Sequence, residues 1–282
     1  MARRRTELTP SRPRKPEARH DLAMTNSGKT EGCLVLLRHG TTAWAKQNRF
    51  AGWADAPLSK SGQEEAAKAA KTLAARGYRF DGAYSSLLSR ARETLAILRR
   101  VMGDTAVPAP RADWHLNERH YGALQGENRA KAALAYGNEQ LTAWRRDYRA
   151  RPPLLAPDDP GHPCQDPLYA GIDPALLPGS ESLEDAALRV LPFWETELAP
   201  RLAAGDSLLV AAHTASIRGL VRRIEGLSDE ETEAFRIATC LPLIYRFDGD
   251  LKPLSREELT SGLTSQVRRL LNKHKSGKIS WV

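Results

Sequence analysis

Two stretches of this chain deliver a histidine where chemistry is done. Leu34-Val35-Leu36-Leu37 runs into Arg38-His39-Gly40, and Leu208-Leu209-Val210-Ala211-Ala212 runs into His213. Each apolar run has strand length, and Gly40 marks the turn that leaves the first. In open α/β sheets ligands sit beyond the carboxyl ends of the strands, so both imidazoles are expected at one crevice. A lone histidine after a strand is more often a loop or capping residue. Here Arg38, Arg90, Arg145 and Arg146 also fall at strand ends, helix starts or loops. Guanidinium forks grip phosphate bidentately through charge-assisted bonds. Two histidines in that company suit phosphoryl transfer without a metal. One imidazole would attack phosphorus and carry the phosphoryl group; the other, with the arginines, would stabilise charge on the equatorial oxygens. A carboxylate such as Glu118 could move the proton of the substrate hydroxyl. The chain has no Walker loop, no Gly-x-Gly-x-x-Gly and no carboxylate cluster at metal spacing.

Strands and helices must alternate to position these groups. A first strand is expected over about Cys33 to Leu37, followed by a loop from Asn48 to Leu58. Ser61-Gly62-Gln63-Glu64 fits a capping box at the start of a helix that Gly77 stops. Phe80 to Tyr84 reads as a second strand ending on Ser85-Ser86. A helix from Leu87 to about Val101 buries Leu88, Leu95 and Leu98 and carries Arg90 and Arg92 near its first turns. A cation there opposes the helix dipole, so each arginine is either a solvated surface residue or a grip on an anion. Trp114 to Gly122 reads as an irregular polar loop, and Ala130 to about Tyr148 as one helix. Pro152 to Gly179 has many prolines and no periodicity, the mark of a lid or binding loop. Ser182-Leu183-Glu184-Asp185 opens a helix to about Ala203 with Leu188, Leu191 and Leu198 buried. Thr214 to Ile224 is helical, so the N–H groups after His213 form a ready anion site. Leu243 to Phe247 reads as a last strand. The alternation favours an α/β fold, a mostly parallel sheet with helices on both faces.

The net charge of +8 belongs to the ends of the 282-residue chain. Residues 1–30 carry eight Lys/Arg against three acids, and 262–282 carry five and none, which leaves −2 over 31–261. Basic tails are usually solvated and disordered, so nucleic acid is not the expected partner. Residues 1–30 are read as a disordered basic extension, 31–253 as the catalytic body, and 254–282 as a basic tail with a weak amphipathic helix (Leu259, Leu263, Val267, Leu270). No apolar stretch reaches the length of a membrane span. Three sparse cysteines, Cys33, Cys164 and Cys240, suit a reducing compartment. The Arg-rich N-terminus lacks an apolar signal core, and a cytoplasmic place is expected.

A resemblance goes further than these patterns. Leu37-Arg38-His39-Gly40 with Trp44, then Asn48-Arg49-Phe50-Ala51-Gly52-Trp53, resembles the histidine phosphatase superfamily. Asn117-Glu118-Arg119-His120-Tyr121-Gly122-Ala123-Leu124-Gln125-Gly126 resembles the signature loop of its cofactor-dependent phosphoglycerate mutases. Trp144-Arg145-Arg146, Ala211-Ala212-His213 and Gly226-Leu227-Ser228 fit the same branch. The likeness spans about Leu34 to Pro253 and implies a phosphoglycerate-mutase-like fold. It implies His39 as nucleophile, Glu118 as acid/base, and His213, Arg38 and Arg90 around the transferred phosphate. Tyr121, Arg129, Arg145 and Arg146 would bind the rest of the substrate, with Thr41, Thr42, Ala51, Gly52, Arg119, His120, Thr214 and Ala215 completing the site. The implied reaction interconverts 3- and 2-phosphoglycerate in glycolysis and gluconeogenesis, primed by 2,3-bisphosphoglycerate, without a metal. The implied partner is a small phosphorylated carboxylic acid, and the implied assembly a homo-oligomer.

The departures from that pattern matter. The family usually has Asn at Ala45, a hydroxyl residue at Ala51, Gly at Thr214, Asn at Ala215, Lys at Arg129 and Gly at Cys240; its Glu-Ser is here Thr41-Thr42. Three alanines remove three hydrogen-bonding side chains. At roughly 1.5–3 kcal/mol per bond to a charged group, the loss reaches about 4–9 kcal/mol, an upper figure because water substitutes. Two alternatives therefore stand beside the mutase: a divergent histidine phosphatase for another small phosphorylated acid, and a catalytically weakened pseudoenzyme.

Overall fold

The computed structural model describes residues 31–259. The expected basic extension, the C-terminal basic end and all but Leu259 of the expected amphipathic helix lie outside those residues.

Six strands form one sheet: β1 (Gly32–Arg38), β2 (Gly82–Ser85), β3 (Arg111–Ala112), β4 (Ser207–Ala212), β5 (Leu243–Phe247) and β6 (Pro253–Glu258). Their order is β3-β2-β4-β1-β5-β6. The β3–β2, β2–β4 and β4–β1 pairs are parallel and the two pairs beyond β1 antiparallel. The fold is α/β with a mostly parallel sheet. β1 and β4 are buried almost throughout because helices cover both faces, and successive side chains alternate between two cores. Val35, Leu37, Leu209 and Ala211 pack against α2 (after the short α1, Ala43–Lys46), which spans Lys60–Ala75, and α3 (Ser89–Met102). Leu34, Leu36, Leu208 and Val210 face the other way, onto α6 (Leu183–Phe193), α7 (Ala199–Ala203) and α8 (Thr214–Glu225). Apart from these two cores, α4 (Arg129–Tyr136) and α5 (Asn138–Arg146) pack a small cluster of Ala132 and Leu141 with Phe50 and Leu124, and α9 (Asp229–Ala234) follows α8.

Several boundaries differ from the sequence expectations. Ser59, not Ser61, caps α2: its side chain accepts the Gly62 N–H, and Ser61 sits inside the first turn. The expected helix over 130–148 is broken at Gly137, whose φ of 82° no helix accepts. Leu188 is exposed, because the buried stripe of α6 runs through Leu183, Ala186, Val190 and Phe193 and leaves Leu188 opposite. A widened turn, Trp194–Leu198, follows Pro192 and brings Leu198 back to the core. The 152–179 stretch is folded locally into three 3₁₀ turns, Pro163–Gln165, Pro167–Tyr169 and Pro174–Leu176. Residues 254–258, expected to start a tail, form the edge strand β6, and Leu259 is buried behind it.

One close approach positions the catalytic turn. A Cβ on Gly40 would lie 2.3 Å from Gly62 O, and one on Gly62 would lie 2.1 Å from Thr41 O. Only two glycines let the start of α2 pack directly on the Arg-His-Gly turn.

Candidate active site

Strand register brings the two histidines together. Arg38 pairs with Ala212 across β1 and β4, so both strands end at one level. His39 N–H donates to Ala212 O, and the imidazole centroids lie 4.9 Å apart. The His39 Nδ1 lies 2.7 Å from Gly40 O. A carbonyl can only accept, so Nδ1 carries the proton and Nε2 keeps a lone pair. Burial, then Arg90 and Arg38, hold His39 well below the usual imidazole range. The His39 ring is therefore neutral near pH 7. Ser85 pairs with Ala211 on β2, which brings the Ser86 hydroxyl to 2.7 Å from His213 Nε2. His213 Nδ1 is buried without a hydrogen-bond partner. Burial first, then Arg90, His39, Arg189 and Arg38, also hold His213 well below the ordinary imidazole range.

Arg90 is 1% exposed and enters from the first turn of α3. It donates to Gly52 O (2.6 Å) and Ala54 O (3.2 Å), and burial brings it down to about 10. Of the two readings for a cation at this helix start, the inward one holds for Arg90, while Arg92 is exposed. Arg38 donates through Nη1 to Ile237 O, leaving a buried Nε without a partner.

The anion site expected at the N–H groups after His213 is occupied by the Glu118 carboxylate. The carboxylate accepts N–H bonds from Thr214 (3.2 Å), Ala215 (3.1 Å) and Arg119 (2.8 Å). The Glu118 backbone O accepts from the Trp53 indole (2.6 Å) and from Arg189 (3.1 Å). An acceptor of three fixed donors is a positioned carboxylate, so this helix start orients Glu118 and has its first N–H groups engaged.

Arg38, His39, Arg90 and Glu118 line one cleft of about 500 Å³. Nine arginines and three glutamates face it. Arg38, His39, Thr42, Ala51, Gly52, Arg90, Glu118, Arg119, Tyr121, Arg129, Arg145, Arg146, Thr214 and Ala215, all expected at the site, are in its wall. Arg119 donates to Tyr121 Oη and Arg145 O, yet its buried Nε and Nη1 have no partner; neither has Arg129 Nε. Unpaired buried donors of this kind fit an anionic ligand such as a phosphorylated acid. Among the described residues no group of three or more His, Cys, Asp or Glu could hold a metal ion.

Three expected residues are not in its wall; the first, His213, is fully buried with its ring centroid 4.9 Å from that of His39. Thr41 is turned to α2, where its N–H and hydroxyl both donate to the Glu65 carboxylate at 2.9 Å. His120 is fully buried behind Trp53, and its Nδ1 accepts the Gly122 N–H. It shapes the loop that carries Glu118 and touches no cleft. Burial, with His162 and Arg189, brings His120 down to about 3. The folded ring thus stays neutral where the unfolded one binds a proton, so acid favours unfolding. Between pH 6.5 and 5 this group alone is expected to cost about 2 kcal/mol of stability. Urea unfolding of His120→Asn should show a correspondingly shallower fall in stability over that range; an unchanged slope would refute the assignment.

Other residues of the site escape sequence reading. Arg189, on α6, is 6% exposed and paired with Glu181 (2.6 Å). It also donates to the carbonyls of Trp114, His115, Asn117 and Glu118. One guanidinium thereby fixes the Glu118 loop, and a charged residue beside the apolar stripe of α6 is the only signal it left. Arg218 lies one helical turn after Thr214, which helical spacing could have revealed. Arg236 lies in an aperiodic segment that offers no signal.

The profile of the histidine phosphatase superfamily (branch 1) matches residues 34–161 and 165–258. The chain belongs to the histidine phosphatase superfamily. Within the superfamily it is 47% identical over 235 residues to a 2,3-bisphosphoglycerate-dependent phosphoglycerate mutase of Nitratidesulfovibrio vulgaris (strain DSM 19637 / Miyazaki F), a match covering 83% of this chain and 94% of that one. A solved mycobacterial glucosyl-3-phosphoglycerate phosphatase in complex with VO3 superposes with a TM-score of 0.58 at 26% identity, over 76% of this chain and 92% of that one. The phosphoglycerate mutase of Bacillus anthracis str. Sterne shares the fold, with a TM-score of 0.57 at 21% identity over 82% and 93%.

Proposed function

We propose that this chain is a 2,3-bisphosphoglycerate-dependent phosphoglycerate mutase that interconverts 3- and 2-phosphoglycerate through a phosphoryl group carried on His39. One observation carries the reading. The lone pair of His39 Nε2 and a carboxylate with three fixed donors occur in one arginine-lined cleft. The 47% identity to a protein of that name supports it. When bound, 2,3-bisphosphoglycerate would supply the phosphoryl group. In each half-reaction of phosphoglycerate, a P–O bond is exchanged for an N–P bond at Nε2, or the reverse. Glu118 gives its proton to the departing oxygen or takes one from the attacking hydroxyl. Arg38, Arg90 and His213 balance the charge of the transferred group, and Arg119, Arg129, Arg145 and Arg146 hold the remainder. A cytoplasmic, glycolytic role and a homo-oligomeric assembly belong with this reading; no helix among the described residues is long and apolar enough to cross a membrane.

Labelled 2,3-bisphosphoglycerate tests it. Acid-labile label is expected on the peptide that holds His39, and folded protein without label removes the proposal. A second reading rests on Ala45, Ala51 and Ala215, which line the cleft without a side-chain donor, and on the likeness to the mycobacterial phosphatase. In that case water takes the phosphoryl group, and inorganic phosphate accumulates from 3-phosphoglycerate in place of 2-phosphoglycerate.

A further inference from the structure

We propose that Arg236, held between Arg218 and Arg38, is a specificity-determining residue that receives the carboxylate of the substrate on the α8–α9 wall of the cleft. This rests on the reading of the cleft as a site for a phosphorylated acid.

The backbone around Arg236 is pinned on both sides by arginines of the site. Arg218 Nε donates to Phe235 O at 2.9 Å, and Arg38 Nη1 donates to Ile237 O at 3.0 Å. The side chain of Arg236 thus leaves from a fixed base and lines the cleft. Its guanidinium makes no hydrogen bond or ion pair among the described residues, although nearly every other charged group of this wall is engaged. Arg218 uses only Nε, and its other nitrogens are free to meet a ligand in the cleft it lines. Burial, with Arg236 pushing against the pull of Glu118, brings Arg218 down to about 10. Two neighbouring guanidinium groups repel each other, and an anion between them removes that repulsion.

The neighbours of the pair limit what that anion is. Glu230 and Glu233 stand on the same wall. Glu233 accepts the Tyr148 N–H and Glu230 the Ser228 hydroxyl, so each already has one acceptor oxygen engaged. A dianionic phosphate would meet two carboxylates here; a single carboxylate, planar and matched to a guanidinium fork, meets less repulsion. The cleft is also lined by the methyl groups of Ala45, Ala51 and Ala215. They offer no donor, so discrimination among anions falls on the arginines.

The test compares three ligands on the full chain: 3-phosphoglycerate, glycerol 3-phosphate, which lacks the carboxylate, and inorganic phosphate. Arg236→Gln is expected to weaken binding of 3-phosphoglycerate about tenfold, as a rise in KM with kcat within threefold. Affinity for the two ligands without a carboxylate should stay within about twofold. Arg236→Lys, which keeps the charge and loses the fork, should recover only part of the loss. Arg236 is exposed, so the variants fold. Equal weakening for all three ligands would overturn the proposal in favour of a general field effect, and no change for any of them would overturn it outright. If the unaltered chain binds 3-phosphoglycerate but forms no 2-phosphoglycerate, the mutase reading falls, and the same ligand comparison still decides the role of Arg236.

Discussion

Alanine in place of His39 is expected to lower isomerisation of phosphoglycerate by at least about 10⁴-fold, equivalent to roughly 5.5 kcal/mol of lost transition-state stabilisation. The imidazole is the only group in the cleft with its tautomer fixed for attack: Nδ1–H is committed to Gly40 O, and Nε2 is left with its lone pair. No neighbour can substitute. His213 has Nε2 engaged by Ser86 and is fully buried. The variant loses the packing of one buried neutral imidazole and its bond to Gly40 O, so its stability is measured beside its activity. The check pairs steady-state kinetics with thermal unfolding. A variant that unfolds near the temperature of the parent chain and keeps more than a hundredth of its activity would remove His39 from the role of nucleophile.

Glu118→Gln is the second large effect, with kcat expected to fall about 10²–10⁴-fold, the usual contribution of a positioned acid or base. The amide can still accept one of the N–H groups of Thr214 and Ala215 through its oxygen, but its NH2 opposes the other donor. Removing a carboxylate from a cleft with nine arginines also raises its positive charge. An anionic substrate is then held at least as well, so KM should stay level or fall while kcat collapses. A variant with raised KM and kcat within tenfold of the parent would show that Glu118 binds substrate and moves no proton.

Much of the scaffold is legible in the chain because buried parallel strands need unbroken apolar runs. β1, β4 and β5 come out within a residue or so of their expected limits for that reason. Helix phase is less secure. In α6 the leucines suggest one face and the small residues another; the sheet selects the face with Ala186, Ala187 and Val190, so Leu188 is turned out. The same ambiguity hides the break at Gly137, since the sequence on both sides is helical in composition. Within the site, chain position after His39 does not tell which of two neighbouring threonines faces the cleft. Thr42 caps α1 and faces the cleft, while Thr41 is captured by Glu65 of α2.

The linear order of residues by itself determines that two buried strands end on imidazoles, one preceded by arginine and followed by glycine. Burial on both faces demands a continuous apolar segment, and the first polar residue after it must emerge at the sheet edge. Which groups meet those imidazoles is decided only by tertiary structure. Glu118 finds its donors 96 and 97 residues away at Thr214 and Ala215. The buried Arg189–Glu181 pair pins its loop from another helix, and Arg236 reaches the cleft because Arg218 and Arg38 hold the backbone beside it. Hydrogen bonds between distant segments depend on how the chain crosses itself, which no local periodicity records.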